Sequence, residues 1–271
     1  MSETFIINTN PLAKNKSITS MHDLVRYYRE HVDANVLGWF MPLDIAIMYG
    51  ILNQGQKEIT GDICELGVAY GKSAVGLSLS KRLEDNLYLF DIFEAQGSLE
   101  LASGLVREYG LEKNLHYIPG DLMKLDSEKV KFENKLRMLH VDACHFHSAV
   151  VNDLRNFSPH MNKDGVIVVD DFNDPEYPGI NTAIAHFCLS EAGENWKLFA
   201  VGGNKAYLCQ EHMIKHYIIF LVEYLNSNVS DMKMTFQEIM GVDVLMTQSR
   251  DPWPIDKIRS LMHDEIKREY R

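Results

Sequence analysis

Between residues 58 and 210, short apolar runs alternate with stretches of helical period. Ile63–Leu66, Leu87–Phe90, Leu115–Ile118, Lys135–Val141 and Gly165–Val169 are short and mostly apolar, and Gly, Pro or acidic residues bound them. That pattern predicts five strands. Ser73–Arg82, Ser98–Tyr109, Ser148–Phe157 and Thr182–Ala192 read as helices between and after them. Trp196–Val201 and Lys205–Cys209 flank Gly202-Gly203-Asn204, which is short enough for a hairpin. Alternating strands and helices predict an α/β, doubly wound, mostly parallel sheet of Rossmann-like type, and the hairpin makes its last strand antiparallel. Seven strands are expected.

The two flanks read differently. Residues 1–57 form an expected N-terminal helical cap, with a polar start, a helix over Ser20–Asp33 and a second over Leu43–Asn53. Between the helices lies Val36-Leu37-Gly38-Trp39-Phe40-Met41-Pro42, whose Trp39, Phe40 and Met41 are candidates for a pocket wall. Residues 58–210 are the expected catalytic domain. Residues 211–271 are an expected helical extension: His212–Leu225, Met232–Met240 and, after Asp251-Pro252-Trp253-Pro254, the charged Ile255–Arg271. That extension could serve as a lid, a dimer arm or cladding, and its apolar 214–224 stretch leaves a homodimer open.

The formal net charge of -11, from 27 Lys and Arg against 38 Asp and Glu, argues against nucleic acid as a partner. The four cysteines are widely spaced, with no C-x-x-C pair, so neither a zinc ribbon nor a redox motif is predicted. The N-terminus lacks a basic, apolar leader, and no run approaches the roughly 20 apolar residues of a membrane span. The expectation is a cytoplasmic protein acting on a small-molecule substrate, away from membranes.

The chemistry gathers where strands end. Thr60 to Ser73 reads as strand, glycine turn and helix start, with Gly67 and Gly71 where the backbone needs positive φ or close approach to a ligand. A pyrophosphate fingerprint wants G-x-G-x-x-G. Here Ala69 replaces the middle glycine and Glu65 precedes the turn, which disfavours a phosphate and suits an ammonium group or ribose hydroxyls. Each strand up to Val169 ends in an acid: Glu65, Asp91, Asp121, Asp142 and Asp170. In open sheets of this kind ligands bind beyond those ends. Asp91 is placed for ribose hydroxyls, with Glu94 as an alternative, and Asp121 for an exocyclic amine. Asp142, Asp170 and Asp171 form a second acidic group that a hard divalent cation would neutralise. His145 and His147 lie in the loop after Asp142, where a histidine can act as general base.

The stretch Gly61-Asp62-Ile63-Cys64-Glu65-Leu66-Gly67-Val68-Ala69-Tyr70-Gly71-Lys72-Ser73 resembles the cofactor motif of class I S-adenosylmethionine-dependent methyltransferases, specifically the macrocin O-methyltransferase-like family. The resemblance extends to Leu89–Glu94, to Val141-Asp142 with His145, to Gly165–Phe172 and to Asn204-Lys205-Ala206-Tyr207, covering about residues 58–210. It implies a transferase of natural-product biosynthesis that uses S-adenosyl-L-methionine and Mg²⁺ and methylates a hydroxyl of a natural-product or sugar-type substrate. The implied cofactor residues are Glu65, Gly67, Ala69, Tyr70, Gly71, Ser73, Asp91, Glu94, Asp121 and Asp142. The implied metal ligands are Asp142, Asp170 and Asp171, and the catalytic pair is His145 with Asp142. The chain departs from the family pattern at Cys144, where many relatives carry an acid, and this shifts the role of base toward His145.

Overall fold

The computed structural model describes residues 21–93, 98–125, 129–229 and 232–249. Its centre is one sheet of nine strands in the order β3-β2-β1-β4-β5-β7-β6-β9-β8. The strands are β1 (Asp62–Leu66), β2 (Leu87–Asp91), β3 (Leu115–Pro119), β4 (Leu136–Val141), β5 (Met161–Val169), β6 (Trp196–Gly202), β7 (Lys205–Gln210), β8 (Met232–Ile239) and β9 (Val242–Ser249). The first five are mutually parallel, and β7 inserts antiparallel between β5 and β6. The expected α/β class and antiparallel closure are therefore present, with nine strands rather than seven.

The two additional strands come from the C-terminal flank. Met232–Met240, expected as a helix, forms β8, which turns through Met240-Gly241 into β9. Its Met-Lys-Met-Thr-Phe-Gln alternation is the strand period, which the apolar count alone conceals. β9 pairs parallel with β6, so the hairpin lengthens the sheet. The charged helix expected over residues 255–271 lies outside the described residues, as do residues 1–20.

Helices cover both faces. On one lie α1 (Met21–Tyr27), α2 (Pro42–Gly50), α3 (Lys72–Ser80), α4 (Ser98–Glu108) and α7 (Ile214–Asn228), packed on the face carrying Ile63, Leu87, Leu89, Met138, Val166 and Tyr207. On the other lie α5 (His147–Phe157) and α6 (Gly179–Cys188), packed on Cys64, Leu66, Phe90, Leu139, Val141 and Ile167. Because both faces are covered, the central strands read as continuous apolar runs rather than alternating ones. No helix among the described residues is long and apolar enough to cross a membrane.

Candidate active site

Strand order reverses between β1 and β4, the place where open α/β sheets leave a crevice. Gly67 closes β1 there with φ 89°, and a Cβ on it would stand 1.9 Å from the Asp142 carbonyl oxygen. Only a residue without a side chain lets the end of β1 meet the end of β4. Gly71 has φ 86° and lies against Ala102 of α4, and Ala69 adopts positive φ without being glycine. The turn from Gly67 to Gly71 is thus held tightly. Tyr70 at its tip is partly exposed, while Ser73 is buried in the first turn of α3.

Asp91 organises this turn. Its Oδ2 accepts from the Val68 and Ala69 amides at 2.7 and 2.9 Å, and its Oδ1 accepts from Phe93 N at 2.7 Å. A carboxylate offers about four acceptor positions, so one remains for a ligand hydroxyl. Asp121 lies two residues past β3, accepts from Met123 N and pairs with Lys124 at 2.7 Å, which holds its carboxyl below the usual range. Glu94 falls outside the described residues. Glu65 differs from expectation. It sits inside β1, fully buried, with Oε1 2.9 Å from His140 Nδ1 and Oε2 without a protein partner. Strand register explains this, since Glu65 and His140 are directly opposed on neighbouring strands. Its side chain therefore points into the interior beneath the rim, with Oε2 left open.

The second acidic group divides in two. The side chains of Asp142 and Asp170 hydrogen-bond to each other at the ends of the neighbouring strands β4 and β5. Burial, reinforced by Asp170, pushes the Asp142 carboxyl well up. Burial would also raise Asp170, but the Lys205 ammonium holds it at about 2. Asp171 is turned aside, with φ 53°. Its Oδ1 accepts from Asn204 Nδ2 at 2.9 Å and its Oδ2 lies 3.5 Å from His145 Nδ1. Burial raises its carboxyl, as does Asp170. His145 Nε2 lies 3.6 Å from Asp142 Oδ1, so the imidazole stands between two carboxylates, and its ring packs edge-on to Tyr177. His147 is not part of this group. It opens α5 and bonds Thr182 and His186 on the outer surface. Cys144 is exposed, and the other three cysteines are buried free thiols.

Three residues of the site had no role assigned from sequence. Lys205 of β7, fully buried, reaches Asp170 Oδ1 at 2.5 Å and Asp44 Oδ2 at 3.9 Å. Burial works against its charge, but Asp170, Asp44 and Asp142 hold it as an ammonium. Asp44 of α2 is fully buried, and burial raises its carboxyl to about 7. His140 is the third. A lysine opening the apolar run Lys205-Ala206-Tyr207-Leu208-Cys209, and a histidine inside Leu136–Val141, were the available signals, because a polar residue inside a covered strand needs a partner.

The comparisons with known proteins bear on the fold that carries this site. Residues 64–172 match the family model described as a methyltransferase domain. CalS11, a TDP-rhamnose 3'-O-methyltransferase of calicheamicin biosynthesis, superposes with TM-score 0.52 at 15% identity over 70% of this chain and 92% of that one. Cofactor-bound Rv0187 from MTB gives 0.53 at 12% identity over 69% and 88%. An O-methyltransferase from Bacillus cereus in complex with SAH gives 0.50 at 14% identity over 72% and 93%. At these identities the superpositions establish the fold. No curated protein matches the chain. The comparisons thus establish a match to a methyltransferase domain over residues 64–172, on a fold shared with these O-methyltransferases.

Proposed function

We propose that the protein transfers the methyl group of S-adenosyl-L-methionine to a hydroxyl oxygen of a small natural-product or sugar-type acceptor, and that it is a member of the macrocin O-methyltransferase-like family. The observation that carries the reading is His145 held between Asp142 and Asp171 at the rim, beside the glycine turn. CalS11 acts on a sugar hydroxyl, which supports an acceptor of that kind here.

The cofactor supplies an electrophilic methyl on a sulfonium. Gly67, Ala69, Tyr70, Gly71 and Ser73 shape its seat, Asp91 and Asp121 offer acceptors at its nucleoside end, and Asp142 stands where β1 meets β4. Asp171 Oδ2 faces His145 Nδ1 and favours the proton there. Nε2 has no hydrogen-bond partner and keeps a lone pair for the acceptor's hydroxyl proton. Asp142, 3.6 Å away, then stabilises the imidazolium. Such distances shorten when substrate binds.

The residues present fit a divalent cation. Lys205 supplies one positive charge beside the two carboxylates, the Asp142 carboxyl stays raised all the same, and a wholly buried imidazole nitrogen beside them has no protein partner. Asp142 and Asp170 would hold the ion, Mg²⁺ or another divalent metal, with Asp171 of the expected set turned toward Asn204. When bound, it would supply charge that orients the acceptor oxygen and lowers its pKa. We assign the protein to the cytoplasm on the same reading.

The test is mass analysis of acceptors incubated with enzyme and S-adenosylmethionine, using sugar nucleotides and phenols, with and without EDTA. A gain of one methylene unit, reduced by chelation and restored by metal, is expected. Cofactor binding without any methylated hydroxyl acceptor overturns the reading. Methylation indifferent to thorough chelation removes the metal from it.

A further inference from the structure

At one level of the sheet, register places Tyr117, Leu89, Glu65, His140, Val168 and Tyr207 side by side on successive strands. Alternate residues of a strand face the same side, and this row belongs to the face that the N-terminal helices cover. An apolar core would be expected there. Instead Tyr117 Oη, Glu65 Oε2, His140 Nε2 and Tyr207 Oη are buried with no hydrogen-bond partner, and Asp44 Oδ1 of α2 joins them. Leaving a buried polar atom unpaired costs about 1–3 kcal/mol, so each calls for a partner that the protein does not supply.

His140 is the most informative of the set. Its Nδ1 faces Glu65 Oε1 at 2.9 Å, and an ionised carboxylate can only accept. In the neutral imidazole paired with such a carboxylate, the proton sits on Nδ1 and Nε2 carries a lone pair. A carboxylate behind an imidazole is how a metal-binding histidine is oriented. Ligand atoms of His140, Asp142 and Asp170 all lie within 4.8 Å of one another. Donors at about 2.1 Å from a shared octahedral ion stand about 3.0 Å apart when adjacent and about 4.2 Å when opposite, so the three side chains would draw together on binding. Lys205 and the Asp171 amide both engage Asp170 through Oδ1. Asp171 belongs to no such group, because Asn204 and His145 engage its two oxygens.

We propose that His140, Asp142 and Asp170 are the protein ligands of the divalent ion, with Glu65 and Lys205 fixing two of them from behind, and that the site takes a first-row metal such as Mn²⁺ in preference to Mg²⁺. The inference rests on the reading that the rim holds a divalent cation and changes which atoms hold it. One imidazole nitrogen in place of a third carboxylate moves the donor set away from the all-oxygen shell that Mg²⁺ demands and toward metals that accept nitrogen.

The test uses chelator-treated full-length protein titrated with Mn²⁺ alone and followed by electron paramagnetic resonance. Stoichiometric binding, with nitrogen modulation of the Mn²⁺ signal and at least tenfold weaker competition by Mg²⁺, is expected. His140→Gln should abolish the nitrogen modulation and weaken Mn²⁺ at least tenfold. Glu65→Gln should weaken it about tenfold, and Asp171→Asn should leave affinity unchanged. Thermal unfolding and binding of the demethylated cofactor verify that each variant is folded. The wild-type nitrogen signal needs no variant at all. Mn²⁺ bound without nitrogen modulation, binding lost in Asp171→Asn but retained in His140→Gln, or no Mn²⁺ binding, each overturns the assignment. Methyl transfer is measured in parallel, so that failure of this ligand set is distinguishable from failure of the O-methylation reading.

Discussion

Single side chains set the electrostatics of this molecule, and some of them lie away from the site. Asp153 of α5 is nearly fully buried on the α5/α6 face, with Oδ1 unpartnered, and burial raises its carboxyl to about 7. In the unfolded chain an aspartate titrates near 3.9. The folded state therefore holds the proton more tightly, and stability falls as pH rises from about 4 to about 7. At pH 8 the penalty is on the order of 4 kcal/mol, and below pH 4 it vanishes. Asp153→Asn should raise the melting temperature by several degrees at pH 8 and hardly at all at pH 4. A pH series of thermal denaturation checks this, and equal gains at both ends would refute the burial argument. His140 makes the same point about polarity inside a strand. Its place in Leu-Arg-Met-Leu-His-Val marks it as unusual, yet its partner Glu65 lies 75 positions away and became visible only with the register.

At the scale of elements, the cofactor turn and the N-terminal helices act as one unit. Lys72, first residue of α3, sends Nζ to Asp33 Oδ1 at 2.6 Å and to the Gly38 carbonyl at 2.9 Å. It thereby anchors the segment that leads into Trp39 and Phe40. Phe40 in turn packs edge-on against His140 and lies under the Lys205 ammonium. Lys72→Met removes the cation from a half-buried pair and frees that segment. Expected effects are a loss of about 2 kcal/mol of stability, faster amide exchange over residues 33–41, and a several-fold rise in acceptor KM with a smaller change in kcat. Exchange confined to α3 itself would contradict the coupling. The pairing of Lys72 with Asp33 was not legible beforehand, because a lysine after a glycine turn reads as an ordinary exposed helix start. The β8–β9 hairpin was missed for a related reason. Apolar residues every second and every fourth position coincide over a short stretch, and only pairing with β6 decides which period is used.

For the whole molecule, the acids gathered at the carboxyl edge are the feature a bound nucleoside sulfonium would exploit. Such a ligand binds the folded state alone. At one hundred times its dissociation constant it should stabilise the fold by about 2.7 kcal/mol. For a chain of this size that corresponds to a shift of roughly 5–10 °C. Thermal denaturation with S-adenosylhomocysteine measures it directly, and an unshifted transition at millimolar ligand would speak against the cofactor seat. With a net charge of -11, the sulfonium of S-adenosylmethionine should relieve repulsion among rim carboxylates and shift the transition further than its uncharged thioether product does.

Local chemistry was enough to settle the strand and helix alternation of residues 58–210, the glycine turn, and the series of acids at strand ends. Each of these is written in neighbouring residues: the period of apolar positions, the need for positive φ, the acid that follows an apolar run. Tertiary structure alone decided which acids meet and what they face. It joined Asp142 to Asp170, turned Asp171 toward His145 and Asn204, buried Glu65 on His140, and brought Lys205 and Asp44 beneath the rim. Those contacts link strands and helices far apart in the chain. Sheet register and burial therefore set them, and no local pattern encodes either.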